Sequence, residues 1–419
     1  MLLLSAREAA DRLGVKIDTL YAYVSRGLLR SMEVVGSRER HYDADEVESF
    51  RAGRGATRAR PAEDLIPVIG SAICLIEDHR LYYRGRDALD LADNATLEEV
   101  AGILWEAPTS AAAVPHPPIP AGQARGLAAN AALGPSLSPQ AGRAVFSSLS
   151  PRLREEGRGE GQQLPGIIER CQMRLAEMSA GDHAALDLSR AGVVRTGRLI
   201  LAELTACACG REPAALPVHE QLAAAWSLDE AGAGLVRCAL VLLADHELNA
   251  STFVARCIAS TGATPYAAVS GALSALSGWR HGGASSQAEA LFRELADSAE
   301  PWPIMAARLQ RGEALPGLGQ PLYPQGDPRA LAIIDALIAA RPEAGRRVAK
   351  AAVAGMELTG QAPNVDFALG AAATALGLAP GAALAIFLVA RSVGWIAHAI
   401  EQYESGVLIR PRARYTRRR

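Results

Sequence analysis

The sequence predicts a mainly α protein with a small helix-and-hairpin module at its N-terminus. Three observations lead there. From about Ile167 to Tyr403 apolar residues recur at helical spacing almost without a break. Strand-like text outside the first 52 residues is confined to the short pieces Val68 to Ile76 and Leu81 to Tyr83. The first 52 residues carry their own caps and turns, which set them apart as a separate unit.

Within that unit Ser5 and Glu8 form a capping box, and Ala6 to Leu13 reads as a short amphipathic helix ended by Gly14. A second helix is expected from about Ile17 to Ser25, with Leu20, Tyr21 and Val24 on one face and Gly27 closing it. Met32 to Tyr42 alternates like a hairpin around Gly36-Ser37, and Asp43 with Glu46 caps a third helix through Phe50. Arg51 to Pro61 is a basic, glycine-containing stretch that suits a linker.

Further along, Thr96 caps a helix from Leu97 to Trp105. Residues 107 to 165 are dominated by Pro, Ala, Gly and Ser and keep no period. The run Gly157-Arg-Gly-Glu-Gly lacks a preceding strand, so it is not read as a phosphate loop. Helices follow over Ile167 to Met178 and Val193 to Cys209, and uncharged Thr261 to Trp279 suits a helix packed closely against others. Phe367 to Ala390 has no charged residue and the length of a membrane span, but Pro380 and several glycines interrupt it. Two buried helices joined at Ala379-Pro380-Gly381 are expected instead.

A chain of 419 residues with 49% hydrophobic and 21% charged residues has room for two or three domains. Its formal net charge of -2 offers no bulk field toward nucleic acid. Lysine occurs only at Lys16 and Lys350, so an anion site must be built from guanidinium groups or backbone amides. The six cysteines lie mostly in apolar helical text rather than paired spacings, which argues against a disulfide framework. The opening residues lack the basic flank and apolar length of a secretory signal, and the expected location is cytoplasmic, without membrane association.

Chemistry concentrates between Asp245 and Ala284. His246 stands beside Glu247, Asn249 and Ser251, and His281 directly precedes Gly282-Gly283, where missing Cβ atoms permit a sharp turn and close approach of a ligand. A zinc-protease helix would need histidine at Ala250, no Cys/His metal cluster replaces it, and no Gly-x-Ser-x-Gly nucleophile turn occurs, so a serine hydrolase has little support.

Asp245-His-Glu-Leu-Asn-Ala-Ser-Thr-Phe followed by His281-Gly-Gly-Ala closely resembles the citrate synthase family. Tyr83-Arg84-Gly85, Gly326-Asp327-Pro328-Arg329, Asn364-Val365-Asp366, Ala390-Arg391-Ser392-Val393-Gly394-Trp395 and Ile409-Arg410-Pro411-Arg412 continue the match over roughly residues 65 to 419. The resemblance implies a citrate synthase-like, two-domain all-α fold: a large domain of residues 65–280 and 370–419, the latter including a basic tail, and a small domain of 281–369. It implies condensation of an acyl-CoA, acetyl or propionyl, with oxaloacetate, in a homodimer without a permanently bound cofactor. It assigns Asp366 as base, His281 as donor to the thioester oxygen, and His246, Asn249, Arg329, Arg391 and Arg410 to the keto acid, with Arg410 crossing a dimer interface.

The departures matter as much. Gly317-Leu-Gly-Gln320 puts glutamine where the family has the histidine that polarises the keto carbonyl. Pro321 and Pro324 replace residues that are often basic near CoA, Trp279-Arg280 replaces Pro-Leu, and Ser285 replaces Asn. Gln320 can donate a hydrogen bond but cannot act as an acid. Arg280 could supply a lost CoA charge.

Ser5-Ala-Arg-Glu-Ala-Ala, Thr19-Leu-Tyr-Ala-Tyr-Val-Ser-Arg-Gly-Leu-Leu and Arg40-His-Tyr resemble the DNA-binding head of MerR and excisionase-like proteins, a winged helix-turn-helix. The resemblance implies duplex DNA as a partner of residues 1–52, with 53–64 as a basic linker. Lys16, Asp18, Thr19, Tyr21 and Arg26 are the groove candidates, with Arg38 and Arg40 on the wing. The alternative is an interaction module, because Asp11, Asp18, Glu33 and Glu39 leave only a weak positive balance. A regulator whose synthase body senses a metabolite is the corresponding alternative for the whole chain.

Overall fold

The computed structural model describes residues 3–15, 17–25, 29, 31–33, 40–44, 47–48, 69–108 and 166–412. The expected hairpin tip at Gly36-Ser37, most of the third helix, the 53–64 linker, the glycine run at Gly157 and the last seven residues lie outside that set, as do Lys16, Arg26 and Arg38. The chain divides into two compact units, Met1–Ile69 and Gly70–Arg419.

The first unit pairs α1 (Ala6–Leu13) and α2 (Ile17–Ser25) with a three-stranded antiparallel sheet of β1 (Leu3–Ser5), β2 (Met32–Glu33) and β3 (Arg40–Asp43), in the order β1-β3-β2. The Ser5 hydroxyl accepts Glu8 N–H at 3.3 Å while Glu8 Oε2 accepts Ser5 N–H at 2.8 Å, closing the expected capping box. Gly14 ends α1 with φ 63°. Strand β1 is not anticipated by the sequence reading. Its place in the sheet follows from Leu4, buried opposite Tyr42 in the register that pairs β1 with β3.

One helix face needs correction. Leu20 is buried and Tyr23 and Val24 pack against the same small core, whereas Tyr21 is 48% exposed. Leu20, Tyr23 and Val24 form the i, i+3, i+4 stripe, so Tyr21 is left on the outer side of α2.

The second unit opens with an antiparallel meander, β4 (Cys74–Glu77), β5 (Arg80–Tyr83) and β6 (Arg86–Asp87), shorter than expected at its first strand. Helices follow: α3 (Ala88–Asn94), α4 (Leu97–Trp105), α5 (Ile167–Gly181), α6 (Arg190–Cys209), α7 (Val218–Trp226), α8 (Glu230–Leu243), α9 (Ala250–Ala259), α10 (Pro265–Leu276), α11 (Gly282–Leu295), α12 (Pro301–Gln310), α13 (Pro328–Ala340), α14 (Pro342–Thr359), α15 (Val365–Ala375) and α16 (Ala382–Ser405). Local chemistry fixes their starts. Thr96, Ser189, Asp229, Asn249, Thr264 and Asn364 cap α4, α6, α8, α9, α10 and α15 through side-chain oxygens, and proline opens α10, α12, α13 and α14.

Helix α16 is the axis of the core and packs on α4, α6, α8, α9, α10 and α11. It is the one described helix long and apolar enough to cross a membrane, and nearly all of its apolar stretch is buried inside the body. The uncharged run from Phe367 is divided between α15 and α16, with Gly377 (φ 66°) and Gly381 (φ 94°) in left-handed geometry at the joint.

Candidate active site

Five segments supply the site: the α8–α9 loop, the α10–α11 turn, the 317–329 loop, the N-terminus of α15 and the middle of α16. Gly394 makes the first meeting possible. Its N–H donates to Ala244 O at 3.0 Å, and a Cβ there would lie 2.4 Å from Asp245 Oδ1. Helix α16 can therefore lie directly on residues 244–245. Arg391 then reaches Leu243 O through its Nε–H at 2.7 Å, and His398 comes within 3.3 Å of Asp245.

His246 follows Asp245 into the interior and is only 7% exposed. Burial, and then the Arg329 and Arg391 guanidinium groups, push its pKa well below the usual histidine value, so its imidazole is neutral. The next residue, Glu247, holds a left-handed φ of 50°, strain that the capped start of α9 must hold in place. Asn249 serves that start: its Oδ1 accepts Thr252 N–H at 3.1 Å and the Ser251 hydroxyl at 2.9 Å, while its buried Nδ2 has no hydrogen-bond partner.

Two guanidinium groups are buried here, Arg329 at 1% and Arg391 at 2% exposure. Arg329 is held bidentately by Asp327, with Nε–Oδ1 3.0 Å and Nη2–Oδ2 2.7 Å, and Asp327 also accepts Val365 N–H at 3.2 Å. Among the described residues Arg391 has no carboxylate within ion-pair distance. Burial pushes its pKa down, with Asp245 opposing the shift and Arg329 adding to it. A buried cation in that condition favours an anionic ligand.

His281 and Asp366 lie at the starts of α11 and α15, a closely packed helix pair. Gly370 sets the approach, since a Cβ there would sit 2.6 Å from the Ala288 carbonyl carbon. The Ser285 hydroxyl of α11 consequently donates to Asp366 Oδ1. Burial pushes the Asp366 pKa up, only partly offset by Ser285 and Arg329. His281 Nε2 is 2.7 Å from Ser251 Oγ, which also accepts Trp395 Nε1–H at 3.1 Å, and its ring meets Phe387 edge-on at 5.8 Å. Burial and Arg391 lower the His281 pKa to about 4. Gly282 and Gly283 have a packing role: Cβ atoms there would meet Leu276 O at 2.6 Å and Gly278 O at 3.1 Å.

In the 317–329 loop the side chain that meets His246 is Tyr323, whose Oη lies 3.2 Å from His246 Nε2. Gln320 lines a groove of about 400 Å³ with Leu318, Gly319, Gln361 and Ala362. Arg280 stacks on Trp279 at 4.6 Å. Arg410 is exposed on the C-terminal arm, and among the described residues no hydrogen bond or ion pair joins it to the other site residues. Sequence reasoning named Ser251 only as a neighbour of His246, and missed Tyr323, Phe387 and the pairing of Asp245 with His398. The one sequence signal, for Phe387 and His398, is helical spacing on α16, where Phe387, Arg391, Trp395 and His398 recur every three or four residues.

Fold and site together define a mostly helical body with two buried guanidinium groups, Arg329 and Arg391, among its candidate site residues. The chain belongs to the citrate synthase family: residues 174–412 match the citrate synthase C-terminal domain, and residues 4–56 match the MerR HTH family of regulatory proteins. Citrate synthase from Haloferax volcanii is 43% identical over 185 residues, 42% of this chain and 48% of that protein. Over that match the chain spans about half of the relative's length. Citrate synthase 2 from Bacillus subtilis is 29% identical over 398 residues, covering 86% of this chain and 96% of that one. The crystal structure of citrate synthase from Thermotoga maritima superposes with a TM-score of 0.63 at 26% identity, over 84% of this chain and 94% of that one.

Proposed function

We propose that the body condenses an acyl-CoA with oxaloacetate, giving citrate from the acetyl thioester or methylcitrate from the propionyl thioester, and releases CoA. The observation that carries this reading is a buried Asp366 hydrogen-bonded to Ser285, one helical turn along α11 from a neutral His281, with the charges of buried Arg329 and Arg391 acting on Asp366. The methyl hydrogens of a thioester are weakly acidic, so removing one needs a carboxylate base while charge develops on the thioester oxygen. The raised pKa makes Asp366 a stronger base than an exposed carboxylate. His281 is the oxygen's donor, with Ser251 Oγ 2.7 Å from its Nε2 holding the ring in place.

Arg329 and Arg391 take the two keto-acid carboxylates, with His246 and the Asn249 amide completing that pocket. Gln320 is assigned to orient the keto group but brings no acid. Arg410 is assigned to the neighbouring protomer's site in a homodimer. Acyl-CoA enters as a substrate along the groove beside Gln320, and the reading uses no permanently bound cofactor. Residues 65–280 with 370–419 form the large domain, and 281–369 the small domain that closes on substrate. A thiol-release assay of the purified chain with oxaloacetate and either acyl-CoA tests this: CoA release that depends on both substrates supports it, and none with either acyl-CoA overturns it.

The head supports a second reading, in which residues 1–52 bind duplex DNA and the body senses a metabolite. The family match over residues 4–56 and the exposed Tyr21 and Arg40 favour it. Oxaloacetate binding that shifts DNA affinity, without turnover, would select it.

A further inference from the structure

The loop that begins at Gly317 solves a problem its own sequence creates. Gln320 is turned into the backbone: its Oε1 accepts Leu322 N–H at 3.4 Å and its main-chain oxygen accepts Tyr323 N–H at 2.9 Å. The turn carries Tyr323 inward to 1% exposure, with its hydroxyl 3.2 Å from His246 Nε2 and the Arg329 guanidinium 5.7 Å from its ring centre. A buried phenol needs a hydrogen-bond partner. Here the partner is an imidazole of the keto-acid pocket, and the nearest cation is an arginine assigned to a substrate carboxylate.

We propose that Tyr323 is the acid that protonates the keto oxygen of oxaloacetate, the task Gln320 cannot perform. This rests on the condensation reading. Asp366 removes a proton from the acyl methyl or methylene group, that carbon bonds to the keto carbon, and the carbonyl π pair moves to oxygen, which takes the Tyr323 hydroxyl proton. The phenolate is held by His246 N–H and by the charge of Arg329. Water then adds to the thioester carbonyl and the C–S bond breaks. The proton on Asp366 goes to the CoA thiolate. Of the two protons water brings, one restores the phenol and the other leaves as the new carboxyl ionises. Burial pushes the Tyr323 pKa up, so the group is a phenol and ready to donate near neutral pH.

Tyr323→Phe in the full-length protein keeps the ring, its packing and its position beside Arg329, and removes the hydroxyl. Three rates or affinities are measured: condensation by CoA release, hydrolysis of the condensed thioester supplied ready-made, and oxaloacetate binding by calorimetry. Condensation is expected to fall about a hundredfold or more, the size typical of losing one such donor. Hydrolysis and binding, which need no keto-oxygen proton, stay within about threefold of wild type. Adding Gln320→His to Tyr323→Phe should restore part of the condensation rate. Condensation within about threefold of wild type in Tyr323→Phe would overturn the proposal, as would parallel loss of binding and hydrolysis, which marks a structural role. A wild type that condenses nothing refutes the condensation reading itself and this proposal with it.

Discussion

Ser251 Oγ lies 2.7 Å from His281 Nε2 and accepts Trp395 Nε1–H at 3.1 Å, so one hydroxyl joins the α10–α11 turn to the buried face of α16. With the hydroxyl donating to Asn249 Oδ1 and accepting from the indole, its oxygen is fixed in place and anchors the orientation of the imidazole. Ser251→Ala removes that anchor. The expected outcome is a kcat at least tenfold lower, about 1.4 kcal/mol of barrier, with the KM for oxaloacetate little changed. Steady-state kinetics at saturating acyl-CoA check it.

Gly394→Ala tests the contact that seats α16 on the 244–245 loop. The added methyl must displace Ala244 O and Asp245, both buried. Overpacking of this kind costs about 1–3 kcal/mol. Thermal unfolding should show the loss, and calorimetry should show weaker oxaloacetate binding, because Arg391 and His246 lose their mutual placement.

The neutral histidine gives a pH dependence of defined sign. His281 titrates at about 4 in the folded protein against an ordinary value of 6.5. The unfolded chain therefore binds more protons between those values, so this residue's contribution to stability is present above 6.5 and is lost as pH falls toward 4. His281→Gln should flatten that acid limb in denaturant titrations. The activity profile should show no His281 inflection near neutral pH.

The proposed homodimer would carry two heads and so two half-site readers, and the head is predicted to bind a palindromic duplex at low salt. Arg40 is exposed on β3 and donates to Ser31 Oγ at 3.0 Å. Arg40→Ala should weaken binding of the full chain in a gel shift and lower its salt dependence. An absence of any enriched site would leave the head as an interaction module.

What the sequence makes legible here is local. The capping box of Ser5 and Glu8, the Thr96 cap and the span Leu97–Trp105 depend on residues three or four apart, and they stand where periodicity puts them. The orientation of α2 was not so constrained, because Leu20, Tyr21, Tyr23 and Val24 allow two apolar stripes and tertiary packing chose the one that frees Tyr21. Tyr323 with His246 and Asp245 with His398 are separated by 77 and 153 residues, and no periodicity signals such pairs. The resemblance drew attention to Asp366 and His281. Their juxtaposition depends on Gly370, whose role appears only when α11 and α15 are seen to touch.

The base is the centre of the account, and Asp366→Asn addresses it most directly. The amide keeps the shape, can still accept the Ser285 hydroxyl, and cannot remove a proton. CoA release from acyl-CoA and oxaloacetate is measured for wild type and variant, with oxaloacetate binding as the control for an intact pocket. The account predicts that condensation is abolished while binding persists. A variant retaining more than about a tenth of the wild-type rate, a barrier change under about 1.4 kcal/mol, would show that Asp366 is not the base.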